Sequence, residues 1–323
     1  MLTRSERCSQ ASEARDEPMA GTASTVRSWL LLEDPGPWGR DALRDARLPE
    51  RVGIELERRC RAAGVRPLLI RRASTNASAA ASSSASSSAS SPASSFGGLA
   101  CFAIRSGPEP PWIERTRLAR VADILDLDLP ALGRGVRPGF EPVDGPLFLV
   151  CTHGRRDVCC AERGRPLARS LSGAAPGATW ESSHVGGDRF AGNVVAFPHG
   201  LYLGRVRPDE AAEVARAYAD GKVSLRHLRG RSCYPMPVQA AEHALRTREG
   251  FDGVDDLGLE RTERLRDVST STFRTPIGRF SVSVAIEESA PSFLTCHSHS
   301  AERARAYRTI AIVRRPDVGG DAS

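Results

Sequence analysis

One stretch of this chain, Cys151 to Val206, limits what the rest can be. It opens with Cys151-Thr-His-Gly-Arg-Arg-Asp-Val-Cys-Cys160, two cysteines nine positions apart at the end of an apolar strand. It returns with His184-Val-Gly-Gly-Asp188, a histidine and an aspartate four apart, just before another strand. Two pairs of potential ligands on two loops, each anchored by a strand, form the pattern by which a chain builds a metal or cluster pocket.

The chemistry of each residue suits that pattern. Thiolates are soft ligands for iron–sulfur clusters and zinc. Cys160 starts a helix, whose N-terminal dipole favours a thiolate, and Arg155 and Arg156 add positive charge nearby. Gly186 and Gly187 can take positive φ and bring backbone N–H groups close to an anionic group. Histidine can replace cysteine as a cluster ligand, whereas Asp188 either ligates directly or orients His184. A phosphate-binding loop at Cys151 is excluded: it needs arginine six positions on, where Asp157 stands.

The chain is long enough, at 323 residues, for two domains with separate cores. Its basic residues are nearly all arginine, Lys222 being the only lysine, and they are scattered among acids. Without a basic stripe interleaved with aromatics, nucleic acid is not the expected partner. No apolar run reaches the roughly 18 residues needed to span a bilayer, and Met1 to Ser24 lacks the apolar core of a secretory signal. The expected compartment is therefore the cytoplasm, where eight cysteines are free thiols or ligands.

The expected class is α/β, with a flexible tail over residues 1–25. An N-terminal α/β unit follows over 26–130. In it, strands at Trp29–Glu33, Pro67–Arg71 and Leu99–Ile104 accompany helices over 49–63 and from Thr116 to about Asp126. An Ala/Ser-rich flexible insert occupies 73–95, and a Pro/Gly-rich linker 131–146. The unit over 147–250 reads as strand Leu147–Val150, a helix around 160–172, strand Thr179–Ser182, a hairpin from Val194 to Val206 and a helix from Pro208 to Ala219. That order is the thioredoxin-like arrangement, a central sheet with helices on both sides. A helix from Pro237 to Arg248 follows. The extension over 251–323 should add two or three strands.

With these motifs in place, the chain resembles the thioredoxin-like [2Fe–2S] ferredoxins and, more closely, the sucrase/ferredoxin-like family. The matching phrases are Cys151-Thr-His-Gly-Arg-Arg-Asp157, Trp180-Glu-Ser-Ser-His-Val-Gly-Gly-Asp-Arg-Phe-Ala-Gly-Asn193, Leu201-Tyr-Leu-Gly-Arg205 and Arg229-Gly-Arg-Ser-Cys-Tyr-Pro235. The Trp29–Trp38 opening and Arg71-Arg72 also fit, so the resemblance covers roughly residues 27–315 apart from the insert. It implies a [2Fe–2S] cluster on Cys151, Cys160 and His184, with the fourth ligand at position 188. Fungal members carry histidine there, and this chain carries Asp188. The fourth ligand stays open between Asp188, Cys159 and another group.

Three readings follow: an electron carrier with an unidentified redox protein as partner, a thiol–disulfide redox protein, or a zinc-binding structural module. No carboxylate pair can be placed as acid and nucleophile, so sucrase activity is not expected. Three further groups are read as secondary. His153 should shape the loop rather than ligate, Cys233 should be packed, and Cys296-His297-Ser-His299 stands outside the two-loop pocket. Arg155, Arg156 and Arg189 could steer an acidic partner.

Overall fold

The computed structural model describes residues 7–46, 48–73 and 98–316. Apart from Ala73, the Ala/Ser-rich insert lies outside them. In chain order the elements begin with α1 (Cys8–Ala14), β1 (Ser28–Glu33), α2 (Glu50–Ala63), β2 (Val65–Arg72), β3 (Leu99–Arg105) and β4 (Trp112–Leu118). Next come α3 (Leu129–Arg134), β5 (Glu141–Pro142), β6 (Leu147–Cys151), α4 (Val158–Ala174), β7 (Thr179–Ser182), β8 (Val194–Phe197) and β9 (Leu201–Leu203). The chain closes with α5 (Ala211–Ala219), β10 (Leu228–Arg231), α6 (Met236–Glu249), β11 (Gly258–Leu265), β12 (Val268–Thr275), β13 (Gly278–Glu288) and β14 (Arg305–Arg315).

Among the described residues, ten strands form one mixed sheet in the order β10-β9-β8-β6-β7-β2-β1-β3-β4-β5, and β11 to β14 form a second, antiparallel sheet. The α/β expectation holds. The large sheet contains the same motif twice. In the first half β1 pairs parallel with β2 and antiparallel with β3, which pairs with β4. In the second, β6 pairs parallel with β7 and antiparallel with β8, which pairs with β9. The halves meet edge to edge through β2 and β7, with Ile70 opposite Ser182 and Arg72 opposite Trp180.

Strand alternation sorts the core into two faces. Trp29, Leu31, Ile70, Phe102, Leu149, Cys151, Trp180 and Val195 point one way. Leu30, Leu32 and Leu69 point the other way in the first half, as do Phe148 and Val150 in the second. Burial on both faces explains why β1 and β6 read as unbroken apolar runs. Helices α2, α3, α4 and α5 bring their apolar residues to the second face, except that Cys160 at the start of α4 reaches the first. Placement of helices on both sides is thus not what these four show. Ala23, Val26, Val143 and Val185 close the first face instead.

Several local expectations are corrected. The tail was expected to be disordered, yet α1 lies within it and Cys8, Ser9 and Ser12 are buried. Arg205 grips it through Ser12 and the Glu17 carbonyl, and Arg229 through Thr22. The helix expected from Thr116 is the end of β4, drawn into the sheet by pairing with β3, followed by a 3-10 turn over Val121–Asp126. The linker over 131–146 carries most of α3 and all of β5, and its Leu132 is buried. The C-terminal extension supplies four strands, packed through Phe273, Phe280, Val282 and Val284 onto Val238, Ala241 and Leu245 of α6. No helix among the described residues is long and apolar enough to cross a membrane.

Candidate metal centre

The site begins where β6 stops. The Cys151 N–H donates to the Asn193 carbonyl (3.0 Å), and Thr152 N–H donates to the Ser182 carbonyl (3.2 Å), so both flanking strands fix the turn. Residues 153–157 then reverse the chain, with the Arg156 and Asp157 N–H groups donating to the His153 carbonyl (both 3.1 Å). Asp157 caps α4 by accepting from the Cys159 N–H at 2.9 Å. That cap satisfies an otherwise orphaned donor and starts the helix so that Cys160 falls in its first turn. Gly164, one turn further on, lets the helix lie against the Cys151 carbonyl. A Cβ there would overlap that oxygen and stand 3.1 Å from its carbon.

The second loop is held from three sides. Arg66 donates to the His184 carbonyl (3.1 Å). Asn193 Nδ2 donates to the Gly187 carbonyl (2.8 Å). Arg229 donates to the Gly186 carbonyl (2.9 Å) and to Asn193 Oδ1 (2.8 Å). Gly186 and Gly187 take φ of 98° and 80°, and Gly187 leaves no room for a Cβ because the Arg229 guanidinium packs on it. Arg229 is completely enclosed, between Phe190 and Tyr202, and burial brings its pKa down to about 10. It therefore stays charged at neutral pH.

The two loops bring Cys151, Cys160 and His184 together, with one ligand atom from each lying within 4.8 Å of the others. Asp188 joins them: its Oδ1 is 3.1 Å from His184 Nδ1 and accepts from Cys160 Sγ at 3.3 Å. Nδ1 is therefore the ring nitrogen that faces the sulfurs. Cys151 and Cys160 are 1% exposed, so the thiols meet out of water.

Charge within this group is shared. A hydrogen bond from Cys160 holds the Cys151 thiol well below its ordinary pKa, against the effect of burial, and His184 and the Val185 N–H add to it. The Cys160 thiol is correspondingly raised by the Cys151 thiolate. Burial opposes a charge on His184, but the hydrogen bond to Cys151 and the negative charges of Cys151 and Asp188 outweigh it and raise the imidazole. Burial pushes Asp188 up to about 6 despite His184. The loops thus hold one thiolate against an imidazole with raised basicity, an electron-rich donor set suited to a soft or borderline cation.

His153 sits beside the set rather than in it. Burial lowers its pKa, which keeps the ring neutral. Nε2 bonds the Gly39 carbonyl at 2.6 Å, and Nδ1 accepts the His184 N–H at 3.3 Å, so the ring ties the first loop to the second. Three other cysteines are plain core. Burial raises Cys60 and Cys101 to about 12 and Cys233 to about 11.

Two expected candidates point elsewhere. Cys159 Sγ turns away from Cys160 and lies 3.6 Å from Cys8 Sγ and 3.3 Å from Cys296 Sγ, so it does not complete the first donor set. Cys296 stands with it and apart from Cys151. Arg189 is committed to Glu17 (2.7 Å), which leaves Arg155 and Arg156 as the exposed cations of the first loop. Sequence reading gave no role to Arg229. Its only signal was a position in a motif that joins two arginines and a glycine.

No solved structure matches the chain. Over 80 residues the chain is 35% identical to a protein named "Altered inheritance of mitochondria protein 32" from Meyerozyma guilliermondii, a match that takes in 22% of this chain and 28% of that protein. The chain thus spans well under two thirds of this relative. A family model described as sucrase/ferredoxin-like matches residues 19–230, which take in both loops of the candidate site and both halves of the large sheet. Since that is more than half of its length, the chain belongs to the sucrase/ferredoxin-like family.

Proposed function

We propose that this chain is an electron carrier holding a [2Fe–2S] cluster on Cys151, Cys160 and His184, with Asp188 at the fourth place. The supporting observation is the convergence of two buried thiols, an imidazole nitrogen and a carboxylate from two loops that are each pinned by hydrogen bonds. The donor set suits iron: thiolates and imidazole are both cluster ligands, and the Val185 N–H bonded to the Cys151 sulfur is the kind of contact that tunes a cluster. When bound, such a cluster supplies a one-electron couple. The chain's own residues would set its environment. Burial of Cys151 and Cys160 excludes water, and Asp188 holds a proton position beside His184. The His184 side chain, 22% exposed, opens the site to the surface. We further propose an acidic redox protein as partner, docking at the exposed Arg155 and Arg156, and a reducing, cytoplasmic setting that keeps the eight cysteines as thiols.

A second reading, a single zinc ion, is favoured by the compactness of Cys151, Cys160 and His184, whose ligand atoms all lie within 4.8 Å of one another. Iron, zinc and acid-labile sulfide measured on anaerobically purified protein separate the two. About two irons and two sulfides per chain, with charge-transfer bands that disappear in Cys151→Ser, support the cluster. Zinc without sulfide, unchanged by anaerobic reconstitution with iron and sulfide, replaces it.

A further inference from the structure

A second group of thiols lies one residue from the first. Cys8 Sγ is 3.6 Å from Cys159 Sγ, Cys159 Sγ is 3.3 Å from Cys296 Sγ, and Cys296 Sγ is 3.5 Å from Cys8 Sγ. These three sulfurs come from α1, from the first turn of α4, and from the loop between β13 and β14. Cys8 is 2% exposed and Cys159 fully buried, whereas Cys296 is half-buried at the rim.

The triangle has the dimensions of a metal site. With Zn–S near 2.3 Å, sulfurs on a tetrahedral ion stand about 3.8 Å apart. The observed edges are a few tenths of an ångström shorter, so a small outward movement of each side chain admits an ion. Three thiols also make poor disulfide partners, since any pair leaves an odd sulfur buried beside it, whereas an ion uses all three.

The surroundings are built for the same purpose. Asp157 accepts the Cys159 N–H through Oδ1 (2.9 Å) and the Cys296 N–H through Oδ2 (2.7 Å), so one carboxylate fixes the backbone of two of the three cysteines. Both its oxygens also lie 3.9 Å from Cys8 Sγ, and each keeps lone pairs free for a further partner. Ser9 Oγ donates to Cys159 Sγ at 3.3 Å. Such supporting hydrogen bonds are what orient metal ligands.

We propose that Cys8, Cys159 and Cys296, with the Asp157 carboxylate as fourth donor, bind a structural zinc ion. It would staple the N-terminal segment and the β13–β14 loop to the start of α4. Closed sites of three or four cysteines hold zinc without catalysis, and such an ion contributes folding energy directly. Because Cys159 and Cys160 are adjacent, the staple would fix the helix turn that carries Cys160. The inference does not depend on what Cys151 and Cys160 hold.

The test uses the full chain carrying Cys151→Ser and His184→Ala, which removes the first donor set. After zinc loading and desalting, one zinc per chain should remain, and Cys8→Ser or Cys296→Ser added to that background should remove it. Cobalt in place of zinc should give thiolate-to-metal bands that disappear in Cys296→Ser. Since Cys296 is at the rim, that variant should keep the far-ultraviolet circular dichroism of its parent. If Cys8→Ser fails to fold, Cys296→Ser and the cobalt titration carry the test. Retention of zinc after loss of Cys296, no zinc in the parent, or an intact mass two hydrogens light from a disulfide among the three would each overturn the proposal.

Discussion

Gly164 and Gly173 lie in the same helix and should respond to alanine in opposite directions. In an exposed helix interior, glycine to alanine stabilises by roughly 0.8–1 kcal/mol, because alanine loses less backbone freedom on folding. Gly173 is exposed in the last turn of α4 with nothing within 4 Å of a new Cβ, so Gly173→Ala should gain up to about that amount. Gly164 is buried against the turn of the site. A methyl group there would overlap the Cys151 carbonyl oxygen and stand 3.1 Å from its carbon and 3.4 Å from Thr152 Cγ2. Comfortable carbon contacts begin near 3.5 Å, so α4 must retreat on the order of 1 Å. Overpacking of this kind costs about 1–3 kcal/mol, and backbone cannot rotate aside, which points to the upper end. After the helix gain is subtracted, Gly164→Ala should be destabilised by about 2 kcal/mol, and the two variants should differ by about 2–3 kcal/mol. Urea unfolding followed by circular dichroism measures both. The retreat would also part Cys160 from Cys151, so iron or zinc content should fall in Gly164→Ala and stay at the wild-type level in Gly173→Ala. Equal stabilisation of both variants with unchanged metal content would refute the close seating of α4 on the Cys151 turn.

Three other outcomes follow from the packing. Glu242 is the carboxylate facing the buried Arg246 (3.0 Å) and Arg231 (3.5 Å), so Glu242→Ala should cost about 3–5 kcal/mol in urea unfolding by leaving buried cations unmatched; a loss under 1 kcal/mol would contradict it. Arg229→Met should leave the Gly186 and Thr22 carbonyls and Asn193 Oδ1 without a donor, costing about 2–4 kcal/mol at roughly 1 kcal/mol each or somewhat more, and it should loosen metal at the first site; unchanged metal retention would separate Arg229 from the ligand loop. Burial, with the nearby Arg231 charge, pushes His199 down to about 4, and its Nδ1 lies 2.6 Å from Tyr218 Oη. The unfolded chain then takes up a proton that the fold refuses between pH 6.5 and about 4. Stability is unaffected above that window and falls as pH drops through it, by at most about 3 kcal/mol and less for a ring that is partly exposed. His199→Gln should flatten this part of the pH profile, and identical profiles would exclude it.

The sequence displays most clearly what is encoded locally. The apolar runs at Trp29–Glu33 and Leu147–Cys151 are buried strands, and the spacing of Val52, Leu56 and Cys60 marks the inner face of α2. The two loops of the candidate site also announce themselves, because glycines sit within a few residues of Cys151, Cys160, His184 and Asp188. What stayed hidden depends on distant partners. β11 alternates arginine and glutamate with little apolar content, and only its pairing with β12 makes it a strand. Thr116 to Leu118 could turn helical in isolation, but pairing with β3 keeps it extended. Cys8 sits in a polar segment with no local pattern, and its neighbours lie 151 and 288 positions away. No window of sequence joins them.

The junction of β2 and β7 gives the first half of the sheet a purpose that needs no cofactor. Its register spans three residue pairs, Ile70–Ser182, Arg71–Glu181 and Arg72–Trp180, with Arg71 bonded to Glu181 and Arg72 stacked on Trp180 at 3.7 Å. Without β2, strand β7 would present bare amides and carbonyls to any extended chain nearby, and Trp180 would lose its cover. Each half is thus the other's end cap. Either half folded alone would leave a sticky edge, so the two copies of the motif shield each other.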